Sequence, residues 1–345
     1  MRLTRRHLLG GAAALAGTTT LGRLMRSASA AVTEFVMIEA GGASGESIEK
    51  GYIVPFTKKT GIKVIRESPS GLGKLQAMVE ANSITATLVE LGSPELEQAK
   101  ARNLLEPLDW AAIDPLPMFP EARDAYGFGY QYYSTIMAWR PDVKAPSSWV
   151  EFFDVENFPG DRGLPDYPAF ILPMAAMGDG VAAADLYPLD LDRAFAKLDA
   201  IKDSIAIWWQ AGAQPPQLLK DNEVQYAIAW SGRVAGQEGV SYSFNEGQLD
   251  IAFFGVPKGC DPEHMQAAMG LFHEMTVPEN QAVAAEVISY TGNSPELDAL
   301  LPRGRLGEYP TTAANRAVQV LADAKWWYEN TEEVERRWQE FKLSL

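Results

Sequence analysis

The residues best suited to chemistry in this 345-residue chain lie between Trp208 and Arg233, in WWQAGAQPPQLLKDNEVQYAIAWSGR. Val224, Tyr226, Ile228 and Trp230 alternate with smaller residues, and this period of two predicts a strand ending at Trp230. Ser231 and Gly232 follow, so an indole, the Arg233 guanidinium and free backbone N–H groups would meet at the carboxyl end of a strand, where open α/β sheets collect ligands. Upstream, Pro215 and Pro216 open a short helix from the first turn, where proline's missing N–H costs nothing. This chemistry is recognition, not bond breaking. No G-x-S-x-G elbow is present, and no serine stands with a histidine and an acid.

Two other constellations were weighed. Tyr130, Tyr132 and Tyr133 lie in YGFGYQYYSTIMAW; such tyrosines either line a cleft or pack a strand core, and the adjacent pair Tyr132/Tyr133 could ligate ferric iron as phenolates. Cys260 is the sole cysteine, so no intramolecular disulfide is possible. With His264 and His273 it makes no ordinary zinc site, and it reads as a small packing residue.

The surrounding elements alternate strand and helix. A strand over 34–39 enters Gly41-Gly42-Ala43-Ser44-Gly45, which is either a tight turn or an anion-facing loop, and a helix closes at Gly61 with Pro55 awkwardly inside it. Strands over 62–67 and 87–91, the latter ending in Gly92-Ser93, flank a helix over 72–81, implying a parallel sheet. Ser68 stands where a phosphate loop would require glycine before Gly73-Lys74, so that motif fails. Residues 101–120 read as a loop, 126–139 as a crossing strand, 191–201 as a helix capped by Asp190, and 249–257 as a returning strand. Helices are predicted over 278–290 and 312–328, with a last one begun by an Asn330/Glu333 capping box.

Charge and the amino terminus set the compartment. Arg2, Arg5, Arg6, Arg23 and Arg26 fall in the first 30 residues without an acid; removing these five from the 30 basic residues leaves 25 against 45 acidic, a net charge of −20. A polyanion such as nucleic acid would be repelled. TRRHLL, a short apolar run and Ala28-Ser29-Ala30 read as a twin-arginine-like export signal cleaved near Ala30, giving a soluble periplasmic protein that needs no cofactor and is expected to be a monomer.

PFTKKTGIKV, SSWVEFFDVENFPGDRGL, the block from Asp185 to Arg233, PENQAVAAEVISYTGNSP and WWYENTEEVERRW together resemble the polyamine-type (spermidine/putrescine-like) extracellular solute-binding proteins of ABC transporters. The resemblance implies the α/β, two-lobed type 2 periplasmic-binding fold, each lobe a mixed sheet flanked by helices, with a ligand cleft between lobes and hinge closure. It places lobe 1 over 31–135 plus 258–305, and lobe 2 over 136–257 plus 306–345. It implies a small-molecule solute, an inner-membrane permease as partner and no enzymatic activity; a thiaminase-like enzyme using Cys260 is the alternative from the same architecture. The cleft positions it implies are Ser44, Ser70, Ser93, Tyr130, Tyr132, Tyr133, Asp166, Trp208, Gln214, Trp230 and Asn293. Here the sequence departs from the family. Gly232 stands where polyamine binders carry an ammonium-holding carboxylate, and Asp166 is the survivor of a pair of acids, which argues against spermidine or putrescine. If Arg233 faces the cleft it favours a carboxylate-bearing or zwitterionic compound; otherwise it opens the next helix and pairs with a surface acid.

Overall fold

The computed structural model describes residues 32–345; the export-signal reading of residues 1–30 lies outside the described residues. Among the described residues ten strands form one hydrogen-bonded sheet: β1 Glu34–Ile38, β2 Lys63–Glu67, β3 Leu88–Gly92, β4 Leu105–Glu106, β5 Gly127–Trp139, β6 Arg162–Pro165, β7 Ile205–Trp209, β8 Tyr226–Trp230, β9 Ser241–Pro257 and β10 Val320–Leu321. Their main order is β2-β1-β3-β9-β5-β8-β6-β7, with β4 and β10 against β9. At one end β2, β1 and β3 run parallel, and at the other β7, β6 and β8 do the same. β5 and β9 join these trios as a long antiparallel ribbon, from Gly127↔Gly255 to Trp139↔Ser241.

The outcome is a two-lobed α/β protein, as the sequence predicts, with both faces of each trio covered by helices. Near β1 to β3, Phe35, Tyr52, Phe56, Phe128, Phe254 and Phe272 pack one face, while Leu75, Val89, Leu96, Leu105 and Phe253 pack the other. Phe253 and Phe254 fall on opposite sides because successive strand residues alternate. Beyond the ribbon, Trp149, Phe152, Met174, Leu198 and Trp338 pack one face of β6 and β8, and Leu218, Leu219, Ala227 and Val234 the other.

β5 carries register shifts against β9 between Gly129 and Gln131 and between Thr135 and Met137. The first changes the parity of the strand. Phe128 and Tyr130 pack on one face; Tyr132, two residues on, packs on the opposite face with Leu96 and Phe253. Tyr133 takes the side that Tyr132 would otherwise occupy.

Several local expectations need correction. The helix through Pro55 exists, but it widens into a π segment over Glu49–Ile53, so Pro55 enters near the start of a new helical stretch, where it lacks nothing. The loop over 101–120 contains β4 and a turn of helix at Trp110–Ile113. The helix predicted over 312–328 is broken into Ala313–Arg316 and Ala324–Glu329 by β10, which pairs with Gln248 and Leu249, and Asp323 caps the second piece through Trp326 N–H at 2.9 Å. Asn330 does not form a capping box; its amide donates back to Trp326 O at 2.8 Å. No helix of the described residues is long and apolar enough to cross a membrane.

Candidate functional site

A cleft of about 290 Å3 opens between the carboxyl ends of the two parallel trios. From the first come Ala40 just past β1, Ser70 past β2, and Glu90, Leu91 and Gly92 at the end of β3; from the second come Phe170 and, at the end of β8, Trp230 and Arg233. Two crossing strands give the cleft its back: Gln131 and Tyr133 from β5 and Ala252 from β9, with Ser44 and Tyr290 closing the sides.

Aromatic rings make the walls. Trp230 lies edge-on to Trp209 at 5.2 Å and to Phe170 at 5.5 Å, and stacks with Tyr167 at 6.2 Å; Tyr133 meets Tyr290 at 5.9 Å. Within this apolar shell two donors are buried without an acceptor: Trp230 Nε1 and Arg233 Nε. Orphaned N–H groups in a dry pocket are costly, so their satisfaction by a ligand acceptor contributes to binding. Arg233 lines the cleft from the single helical turn Ser231–Val234, and among the described residues it forms no ion pair with an acid. Beside it the Tyr290 phenol is pushed up to about 12 by burial, with the guanidinium opposing the rise.

The opposite wall is acidic. Glu90 is 7% exposed and accepts from Ala40 N–H at 2.6 Å and from the Tyr130 hydroxyl at 3.0 Å. Glu95 accepts from Leu72 and Gly92 N–H, holding two helix starts at the rim. Ser44 Oγ donates to Gln131 Oε1 at 2.9 Å, fixing that amide in the floor.

Of the predicted site residues, Ser44, Ser70, Tyr133, Trp230 and Arg233 are brought together here. The others have separate duties. Ser93 Oγ donates to Asp250 Oδ1 at 2.5 Å and to Ile251 O at 2.9 Å, tying the helix after β3 to β9 behind the cleft. Tyr130 is buried under Glu90. Tyr132 is buried with its hydroxyl donating to Glu121 at 3.2 Å. Asp166 accepts from Lys342 at 2.7 Å and from Gln210 at 3.1 Å, and Lys342 also lies 5.3 Å from the ring of Trp208, which packs edge-on to Trp338 and Phe341. Gln214 Oε1 caps the N–H groups of Gln210 and Ala211, and Asn293 bridges Gly129 O at 2.7 Å to Gln281 at 2.8 Å. Glu90, Gln131, Phe170 and Tyr290 were not singled out from the sequence. Glu90 was within reach of the strand-end rule, since it stands one residue before the predicted end of its strand; Phe170 ends a 3-10 turn, and Tyr290, expected to end a helix, lies beyond the helix Pro278–Val287.

The two other chemistries lose their footing. Tyr132 and Tyr133 point to opposite faces of β5, so they cannot share one metal ion, and burial pushes both phenols far above their ordinary range. Cys260 lines a separate depression of about 720 Å3 at the amino ends of β1 and β3, the pole opposite the cleft. Burial, with the charges of Asp261 and Glu106, pushes its thiol up to about 11, so the nucleophilic thiolate is scarce at neutral pH.

Asp250 supplies a test of the crossing ribbon. Buried in the middle of β9, it is pushed up to about 6, chiefly by burial. A raised folded-state value means its stabilising contribution is present below the unfolded value near 3.8 and is lost as pH rises through about 6. Asp250→Asn should therefore match the parent's melting temperature near pH 4, exceed it increasingly as the pH rises to about 6, and keep that gain at higher pH. A difference that does not change with pH would contradict the assignment.

Comparison with known proteins gives a consistent picture. The profile of the bacterial extracellular solute-binding protein family matches residues 51–314. A gamma-aminobutyric acid-binding protein of Pseudomonas aeruginosa is 35% identical over 324 residues, covering 90% of this chain and 91% of the relative. Among solved structures, an ABC transporter substrate-binding protein from Bradyrhizobium japonicum superposes with a TM-score of 0.84 at 33% identity over 90% of this chain and 99% of its own. The Atu4243–GABA receptor does so with a TM-score of 0.83 at 34% identity over 89% and 97%.

Proposed function

The chain belongs to the bacterial extracellular solute-binding proteins, and from that premise we propose that its cleft captures a small zwitterionic amino acid of the 4-aminobutyrate type for delivery to an inner-membrane ABC permease. The observation that carries this reading is the pair of buried, unpartnered donors, Trp230 Nε1 and Arg233 Nε, on two residues that line an aromatic cleft. Indole and guanidinium N–H groups suit a carboxylate, and the rings of Tyr133, Phe170 and Tyr290 suit a short alkyl chain. Two of the similar proteins are named for gamma-aminobutyric acid, which supports this reading.

In this reading residues 1–30 are the export signal and the mature protein works in the periplasm as a monomer without catalysis. The lobes are 31–135 with 258–305 and 136–257 with 306–345, hinged through the middle of β5 and β9. Because the cleft draws on the strand ends of both lobes, a ligand held by Arg233 on one side and the β3 end on the other favours closure over opening.

Isothermal titration of the purified protein with 4-aminobutyrate, butyrate and putrescine tests it. A single saturable site for 4-aminobutyrate, with a thermal shift growing as the logarithm of free ligand, is the expected result. Saturable binding of putrescine with no response to 4-aminobutyrate would overturn it.

A further inference from the structure

We propose that Glu90 receives the ammonium of the bound amino acid by exchanging a proton for it, so that capture is coupled to proton release. This rests on the zwitterion reading of the cleft and adds to it a second anchor and a dependence on pH.

The geometry is that of a carboxyl group prepared for a cation it does not yet have. Glu90 stands at the carboxyl end of β3 and lines the cleft on the wall opposite Arg233, more than nine-tenths buried. Its two hydrogen-bond partners, the Ala40 N–H and the Tyr130 hydroxyl, are neutral. The acids around it are already served: Glu39 accepts from Arg66 at 3.0 and 3.2 Å and from Gly41 N–H, while Glu95 caps Leu72 and Gly92. Among the described residues no lysine or arginine forms an ion pair with Glu90.

An uncompensated carboxylate in such a place is expensive, and it responds by holding its proton. Burial, joined by the charges of Glu39 and Glu95, pushes Glu90 up to about 7. An arriving ammonium reverses the balance: the acid O–H dissociates, its proton passes to solvent, and the ligand's N–H donates to the carboxylate left behind. The ligand's two charges then meet Glu90 and Arg233.

The other groups facing Glu90 do not titrate in the same window. Tyr133 and Tyr290 keep their phenolic protons, since burial pushes Tyr290 up to about 12 and raises Tyr133, as it does Tyr130, well above the ordinary phenol range. Glu39 is covered by Arg66, and Arg233 lines the facing wall. Asp250, pushed up to about 6, is sealed under Ser93 behind the cleft and serves as the control.

The test is calorimetric titration of 4-aminobutyrate in buffers of different ionisation enthalpy between pH 5.5 and 8, where the ligand itself keeps one positive and one negative charge. Proton release should be about half a proton at pH 7 and approach one near pH 6, with affinity falling roughly 30-fold from pH 8 to pH 5.5. Glu90→Gln should abolish both the release and the pH dependence. Asp250→Asn should retain them, and butyrate, which lacks the ammonium, should bind without release. Binding of 4-aminobutyrate to the parent protein with buffer-independent heat and flat affinity would overturn this inference while leaving the zwitterion reading intact. No binding at any pH would remove that reading and this inference together.

Discussion

Arg233→Met should lower affinity for a carboxylate-bearing amino acid by ~30-fold or more, because truncating one partner of a buried, hydrogen-bonded charge pair costs about 2–5 kcal/mol. The guanidinium sits on a one-turn helix at the end of β8, with its Nε buried and lacking an acceptor. The variant should fold: methionine retains much of the apolar stem, and no carboxylate is left behind unpaired, since the described ion pairs do not include Arg233. Arg233→Lys should fall between the two, because an ammonium keeps the charge and loses the planar fork. Titration calorimetry on all three proteins reads the effect. An unchanged dissociation constant in Arg233→Met would remove this residue from recognition.

Gly232→Asp should damage both stability and binding, for reasons that lie in one contact. A Cβ at residue 232 would come within 2.5 Å of Tyr290 Cε1, 2.6 Å of its Cδ1 and 2.9 Å of Ile288 Cγ1. An aromatic ring cannot fold away like the end of a lysine, so the chain must shift, at a cost of about 1–3 kcal/mol. The new carboxylate would also stand beside Arg233 and compete for it. A lower melting temperature and weakened 4-aminobutyrate binding are expected, and Tyr290→Ala in the same chain should recover part of the stability because it vacates the contested space. Strictly additive effects of the two substitutions would show that they do not meet. The same contact accounts for the departure noted in the sequence: the ring of Tyr290 fills the room that a side chain at residue 232 would take.

Much of the architecture was legible because local signals agreed with it. β8, the helix Leu191–Ile201 with its Asp190 cap, and the parallel trio β1 to β3 follow from period and punctuation. Trp230 and Arg233 were legible because both fall within four residues of one strand end. What escaped depends on partners far along the chain. The first half of β9, SYSFNEGQL, is polar and is a strand because β5 and β10 pair with it. The long helix Pro262–Thr276, capped by Asp261, was also missed. Asp166 and Trp208 looked like cleft residues, and it takes the terminal helix Thr331–Leu343, bringing Lys342, Trp338 and Phe341, to show how they are engaged. Glu90 could be placed at a strand end but not paired, because its surroundings come from β1, β5 and the lobe opposite.

The shifted pairing near Tyr130 gives the cleft a reading frame. Downstream of it, the choice of which side chains meet the solute and which enter the core depends on one residue of phase, as a translated message depends on one nucleotide. Substitution alters one position of such a cleft at a time. Deleting Tyr130, which has no partner on β9, would join Gly129↔Phe253 directly to Gln131↔Ala252, so Gln131 and Tyr133 would keep their side while Glu90 lost its hydroxyl donor.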